Sequence, residues 1–200
     1  MKLRRHVDFH RLLFKIYLAV VALAAIAVAA DTPHNLARSA EDKLDYIQRN
    51  GERQHPDARP TQLSEDEINA YLASGKVKIP DGVENLRLIG VPGKITGSCR
   101  VNFDRVRAGR GGSNPLLELF SGMHDVSVEA RASGVNSQGH VHIDSVVIDG
   151  VEVPEFVLEL FVKKYVTPKY PGVGIDSTFA LPSKIDTATV GTHTLTVTQH

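Results

Sequence analysis

The segment HDVSVEARASGVNSQGHVHIDSVVI, residues 124–148, predicts a long β-hairpin. Apolar and polar residues alternate along its first half, as in a strand with one buried face. With the tip at residues 137–138, Arg131 faces Asp144, and this ion pair lies on the opposite face from the apolar pairs. Residues 146–148 are all apolar. This run interrupts the alternation and predicts a bulge or a sharp bend.

Other short strands surround this hairpin in the sequence. Residues 85–91 and 94–106 alternate in the same way, and Pro92-Gly93 between them is a dipeptide typical of turns. Three further strand candidates lie near the C-terminus, at residues 174–182, 183–190 and 193–200. With one helix before these strands and one among them, the sequence predicts an α+β fold with an antiparallel sheet.

Residues 63–75 predict a helix with a well-defined start. Ser64 suits the N-cap position, and Glu67, three residues later, completes a capping box. The apolar face of this helix consists of Ile68, Tyr71 and Leu72. Gly75 follows and is expected to end the helix.

Residues 36–50 predict a second helix, whose apolar face is narrow. The polar stretch 51–60 contains two prolines and is typical of a linker. We therefore expect three parts in the chain. These are a signal peptide or N-terminal membrane anchor at 1–30, a helical stalk and linker at 31–60, and an α+β lipid-binding-like domain at 61–200.

The first 30 residues are typical of an export signal. A basic start precedes the uncharged segment 16–30, and small residues before Asp31 suit cleavage. The apolar run is also close to the roughly 20 residues that span a bilayer, so an uncleaved anchor in the inner membrane is an open alternative. Both alternatives place the rest of the protein outside the cytoplasm, in the periplasm or at the outer face of the inner membrane.

The charge of the chain argues against some partners. The whole chain carries 23 basic and 23 acidic residues, and this balance does not favour a nucleic acid. Residues 1–30 contain five basic residues and one acidic residue. Without them, 18 basic and 22 acidic residues remain, a net charge of −4. Charge alone would therefore not attract this part of the protein to anionic lipid.

Residue types that carry catalysis or bind metals form no convincing pattern. Cys99 is the only cysteine, and its phase in the predicted strand favours a position in the core. His140 and His142 share one face of a strand, but the sequence offers no third metal ligand. A nucleophile-elbow motif of the G-x-S-x-G type is absent. We therefore predict a protein that is not an enzyme and needs no cofactor or metal.

The segment EFVLELFVKKYV, residues 155–166, predicts an unusually apolar helix. Its polar stripe, which includes Glu155 and Glu159, is narrow, and apolar residues cover two other sides. A helix of this kind is buried by two different partners. A strongly curved sheet wrapped around the helix could cover both apolar sides. A lipid or another apolar ligand between helix and sheet could cover part of them instead.

The order of elements resembles the small exported bacterial single-module members of the tubular lipid-binding (TULIP) superfamily. Three stretches carry the resemblance: LSEDEINAYL at 63–72, VVIDGVEVPEFVLELFV at 146–162 and FALPSKIDTATVGTHTLTV at 179–197. The resemblance implies a curved antiparallel sheet around a long helix, with a lipid tail in the groove between them. It also implies lipid binding or transfer outside the cytoplasm. Only hydrophobic positions carry over, because the ligand residues of this superfamily form a diffuse apolar lining.

Two functional hypotheses follow. In the first, the protein binds a lipid or another apolar small molecule in a groove between the apolar helix and the sheet. The groove would be lined by Phe156, Val157, Leu160 and Phe161 of the helix and by Val101, Phe103, Val128, Ala130 and Ala132 of the strands. In the second, the protein is a structural or adaptor protein of the cell envelope, with a filled core, no ligand and an envelope protein as its partner.

Overall fold

The computed structural model describes residues 32–108, 121–163, 167 and 172–200. The described helices are α1 (Pro33–Gly51), α2 (Glu65–Ala73), α3 (Phe103–Ala108) and α4 (Glu155–Phe161). The described strands are β1 (Thr61–Ser64), β2 (Val83–Val91), β3 (Lys94–Asn102), β4 (Met123–Val135), β5 (Gln138–Ile148), β6 (Val151–Glu152), β7 (Asp176–Ala180), β8 (Ile185–Val190) and β9 (Thr194–Gln199). The predicted α+β class with an antiparallel sheet is confirmed.

Strand β4 organises the sheet. One of its edges pairs with β3 over residues 123–131 and continues with β8 at Gly134, while its other edge pairs with β5. Strands β9 and β1 extend the sheet beyond β8, and β2 extends it beyond β3. Strands β6 and β7 both pair with β5. The resulting nine-stranded sheet is open.

The β4–β5 hairpin exists as predicted, but its register differs by two residues. Arg131 faces His142 rather than Asp144, because the tip consists of Asn136 and Ser137, with φ angles of 52° and 60°. A tight hairpin turn of this kind needs positive φ at both central residues, and asparagine tolerates it well. Between the tip and the bulge, this shift of two residues keeps the side chains on their predicted faces, whereas beyond the bulge the register differs from the prediction by one residue. A bulge is present, but it lies at Asp144, before the predicted position at residues 146–148. The Asp144 carboxylate still accepts a 2.7 Å hydrogen bond from Arg131 Nε.

Helices α1 and α2 pack on the sheet and form the main core with it. The largest fully buried apolar side chains are Ile47, Leu63, Ile95, Ile185, Leu195 and Val197. Ala40 and Ile47 of α1 are fully buried in this cluster. The prediction that this helix is a stalk is therefore wrong, since α1 shares a core with the strands that were assigned to a separate domain.

Two buried amides fix the C-terminal end of α1. Asn50 Nδ2 donates to Gln199 Oε1 at 2.9 Å, and Gln199 Nε2 donates to the carbonyl oxygens of Ile47 at 2.7 Å and Ser183 at 2.6 Å. The approach is close, since a Cβ on Gly51 would lie 2.2 Å from Ser183 O. The end of α1 is thereby joined to the last strand of the sheet.

The predicted capping box at the start of α2 is confirmed, and its acid has a second role. Ser64 Oγ accepts from Glu67 N at 3.1 Å, and Glu67 Oε2 accepts from Ser64 N at 2.7 Å. The same carboxylate accepts from Ser39 Oγ at 2.5 Å and Lys43 Nζ at 2.6 Å, both on α1. Burial alone would raise the pKa of Glu67, but these donors outweigh it and lower that pKa.

Replacement of Glu67 by glutamine is expected to lower the free energy of unfolding at pH 7 by about 1–3 kcal/mol, because the buried donors lose a charged acceptor. The folded-state pKa of Glu67 lies below 4.5, the ordinary value for a glutamate side chain. The carboxylate's contribution is therefore present above that value and is lost as the pH falls through the folded pKa. Urea unfolding at pH 7 and under acidic conditions measures both effects.

The matched control is Glu129→Gln, because Glu129 forms an ion pair with Lys94 in which both side chains are 46 % exposed. An exposed pair of this kind contributes little. An equal loss of unfolding free energy in the two variants would show that the contacts of Glu67 contribute no more than an exposed ion pair.

The outer edge of β2 is occupied by a side chain of α2. Asn69 Nδ2 donates to Leu88 O at 2.9 Å, and Leu88 N donates to Asn69 Oδ1 at 2.8 Å. The amide thus satisfies both backbone groups of Leu88 that face away from β3, as a neighbouring strand would.

Other predictions have mixed outcomes. The turn at Pro92-Gly93 and the three C-terminal strands are confirmed, whereas residues 103–106 form the start of α3 and not a strand. The predicted signal or anchor at 1–30 and residues 164–166 of the apolar helix lie outside the described residues. None of the helices within the described ranges is both long and apolar enough to cross a membrane.

Candidate apolar binding surface

Helix α4 follows directly from a tight turn at the end of the long hairpin. Asp149 and Gly150 form the turn between β5 and β6, with φ angles of 49° and 80°. Val153 N then donates to Val146 O at 2.8 Å, which aligns the chain before Pro154, the N-cap residue of the helix. Proline suits this position because it has no N–H group to satisfy. The entry to α4 is therefore defined by the hairpin.

The sheet does not wrap around α4, so the predicted position of this helix is wrong. None of its residues is buried, and it makes few contacts with the other described elements. Phe156 is 65 % exposed and Leu160 is 54 % exposed. These two side chains lie one turn apart on the same side of the helix, which we call the outer face of α4. Val157 and Phe161 are half-buried.

The strand residues that were expected to line a groove fall into two groups. Ala130 and Ala132 are 5 % and 3 % exposed and belong to the core that contains α1 and α2, so this core leaves them no access to a ligand. Val101 and Val128, at other positions on β3 and β4, are half-buried. Phe103 is buried, and its ring meets that of His124 edge-on at 5.5 Å. The structure therefore does not gather the nine predicted residues into one groove.

A histidine that the sequence did not single out joins the hairpin turn to the start of β4. His124 Nδ1 lies 2.5 Å from Asp149 Oδ2, and His124 Nε2 lies 3.1 Å from Ser121 O. The hydrogen bond to Asp149 raises the pKa of His124, and the same contact lowers the pKa of Asp149. The Asp149-Gly150 pair is a strong turn signal in the sequence and could have located this contact.

His140, His142 and Cys99, which the sequence analysis considered, have ordinary surroundings. His140 Nδ1 lies 3.1 Å from Thr178 Oγ1, and His142 Nδ1 lies 2.9 Å from Asp176 Oδ1, across the β5–β7 pair. No group of three metal-binding side chains occurs in the part of the chain that the structure describes. Cys99 is half-buried, and burial raises the pKa of its thiol, which favours the unreactive protonated form.

Comparisons with known proteins give no further identification. No protein-family model matches the chain, and no curated protein or solved structure is significantly similar to it. The resemblance to the tubular lipid-binding superfamily therefore stays a prediction from the sequence pattern.

Proposed function

We propose that the protein binds lipid through the outer face of α4 and does not act as an enzyme. The observation that carries the proposal is the exposure of Phe156 and Leu160 on a helix without a buried residue. Burial of one such side chain is favourable by about 1.5–3 kcal/mol. A single exposed apolar residue is common in proteins. Two large ones, adjacent on a helix of mainly apolar sequence, favour a surface that another apolar body covers.

The orientation of α4 supports the same proposal. Val157 and Phe161 are half-buried, whereas Phe156 and Leu160 point to solvent. The helix thus uses one apolar side within the molecule and leaves the other available. Phenylalanine and leucine on such a face are suited to the boundary between lipid headgroups and acyl chains.

The sequence favours a bilayer over a protein as the occupant. The uncharged segment 16–30 ends three residues before α1 begins at Pro33. If this segment stays in the membrane, the folded body is held next to the lipid surface, where even a small apolar face binds at high effective concentration. The net charge of −4 outside residues 1–30 favours zwitterionic over anionic lipid.

A tryptophan at position 156 tests the proposal, because the chain contains no other tryptophan. We expect Phe156→Trp to fluoresce at shorter wavelength when phosphatidylcholine vesicles are added, as the indole enters an apolar environment. Brominated phosphatidylcholine should then quench this emission. A second substitution, Leu160→Asp, should abolish both responses, since it places a charge beside the indole.

The control is Val91→Trp, which lies on β2 and replaces another exposed apolar residue, 47 % accessible to solvent. We expect no shift and no quenching for this variant. Equal responses at both positions would indicate unspecific adsorption and would contradict the proposal. An unresponsive indole at position 156 would also contradict it, and would instead favour an envelope protein as the partner of α4.

A further inference from the structure

The hydrogen-bond geometry of His124 favours its protonated form. Its two ring nitrogens lie 2.5 Å from a carboxylate oxygen of Asp149 and 3.1 Å from the carbonyl oxygen of Ser121. Both partners can only accept a hydrogen bond in these contacts. A neutral imidazole has a single N–H, so only the imidazolium ion donates to both acceptors.

Asp149 connects this imidazolium to the turn that leads into α4. Its Oδ1 accepts from Asp125 N at 2.9 Å, and its own N–H donates to Asp125 O at 2.9 Å. Two hydrogen bonds to the backbone of Asp125 thus hold the turn at the start of β4, and neither depends on pH near neutrality. A third contact, to His124, does depend on pH because the imidazole can lose a proton. Deprotonation of His124 removes one of the two hydrogen bonds to Asp149 and Ser121, together with the charge on the ring.

We propose that His124 is a pH-dependent latch that fastens the β5–β6 turn, and with it the start of α4, to the beginning of β4. The latch is closed when His124 is protonated and loosens when the proton leaves. The latch rests on the proposed function only in one respect, namely that α4 carries the lipid-binding face. The closed latch presents that face in one orientation, which lowers the entropic cost of binding.

The charged groups around His124 act in the same direction. Asp149 faces it from the β5–β6 turn and Asp104 faces it from α3, and both carboxylates favour the imidazolium. Asp104 Oδ2 also accepts from Gly122 N at 2.8 Å, which keeps it close to the start of β4. A raised pKa means that the latch is fully closed below 6.5, the ordinary pKa of a histidine, and opens as the pH rises through the higher folded-state pKa.

Hydrogen exchange of the full chain at pH 5.5 and pH 8.5, corrected for the intrinsic pH dependence of exchange, tests the latch. We expect amides of residues 149–161 to exchange several-fold faster at the higher pH, while those of α2 stay unchanged. In His124→Gln, the same segment should exchange at the faster rate at both values. Constant protection in the native protein, or an unaltered pH response in His124→Gln, would overturn the proposal.

A second variant covers the case in which His124→Gln fails to fold. Asp149→Asn keeps the size of the side chain but removes the negative charge, so NMR titration should give a lower pKa for His124 than in the native protein. An unchanged pKa would overturn the latch. The control is His140→Gln, which should leave both the exchange and the His124 titration as they are.

Lipid binding provides the separate readout. The indole response of Phe156→Trp to phosphatidylcholine vesicles should weaken from pH 5.5 to pH 8.5, and this pH dependence should vanish when His124→Gln is added. A pH-dependent exchange of residues 149–161 without any vesicle response would retain the latch and reject the proposed function. A vesicle response together with pH-independent exchange would retain the proposed function and reject the latch.

Discussion

Replacement of Ile47 by alanine is expected to lower the free energy of unfolding by about 2–5 kcal/mol, as for other buried aliphatic side chains cut to alanine. Ile47 is fully buried between α1 and the sheet. Its loss leaves a cavity that cannot collapse easily, because the adjacent end of α1 is fixed by Asn50 and Gln199. Urea unfolding followed by circular dichroism measures the change.

The control for Ile47→Ala is Asp42→Ala, an exposed position on the same helix. This variant also introduces an alanine, which favours the helix, and should alter the free energy of unfolding by no more than about 0.5 kcal/mol. If Ile47→Ala were equally mild, α1 would not be part of the core and the stalk interpretation would return.

Replacement of Gln199 by leucine is expected to cost about 2–5 kcal/mol, although leucine is the more hydrophobic residue. The side-chain amide of Gln199 accepts from Asn50 Nδ2 and donates to Ile47 O and Ser183 O. Gln199 is 3 % exposed. Leucine would leave the N–H of Asn50 and the carbonyl of Ser183 buried without this partner, and each such group costs about 1–3 kcal/mol. Thermal and urea unfolding should agree on the loss.

Gln62→Leu is the matched control, because Gln62 is an exposed glutamine on β1 whose amide lies 3.5 Å from Thr196 Oγ1. Its replacement should be nearly neutral. A Gln199→Leu variant as stable as the native protein would mean that water satisfies the orphaned groups and that the end of α1 is less tightly closed.

Local signals in the sequence predicted local structure well. The capping box of α2 depends on Ser64 and Glu67, which are three residues apart, and it forms as predicted. Between the tip and the bulge, the hairpin alternation placed side chains on the correct faces, because a two-residue error preserves parity. The error itself arose at the tip, where the backbone preference of Asn136 for positive φ determines the register.

Long-range packing was not predictable from the same signals. The narrow apolar face of α1 suggested a stalk, but its burial depends on Gln199, which is 149 residues away from Asn50 in the sequence. Ala130 and Ala132 were expected to line a groove beside the apolar helix. They instead belong to a region of close packing, where a Cβ on Gly134 would come within 2.8 Å of that of Ala188. Small inward residues can mean close approach as well as empty space.

The candidate site was predicted only in part. The sequence correctly identified an apolar helix near residues 155–161, but apolar content alone does not say what covers a side chain. Two apolar sides suggested enclosure by the sheet, whereas Phe156 and Leu160 face solvent. The contact between His124 and Asp149 spans 25 residues and depends on the hairpin register, which the sequence misplaced.

The amide of Asn69 has a consequence for how molecules of this protein meet one another. An unpaired edge strand is a template on which extended segments of other chains add, and this leads to unwanted polymers when a protein is concentrated. At Leu88, in the middle of β2, the Asn69 side chain of α2 already occupies the backbone N–H and C=O groups that an added strand would use. Growth of the sheet past β2 would first have to displace that amide, so crowded copies of the protein are kept from joining through this edge.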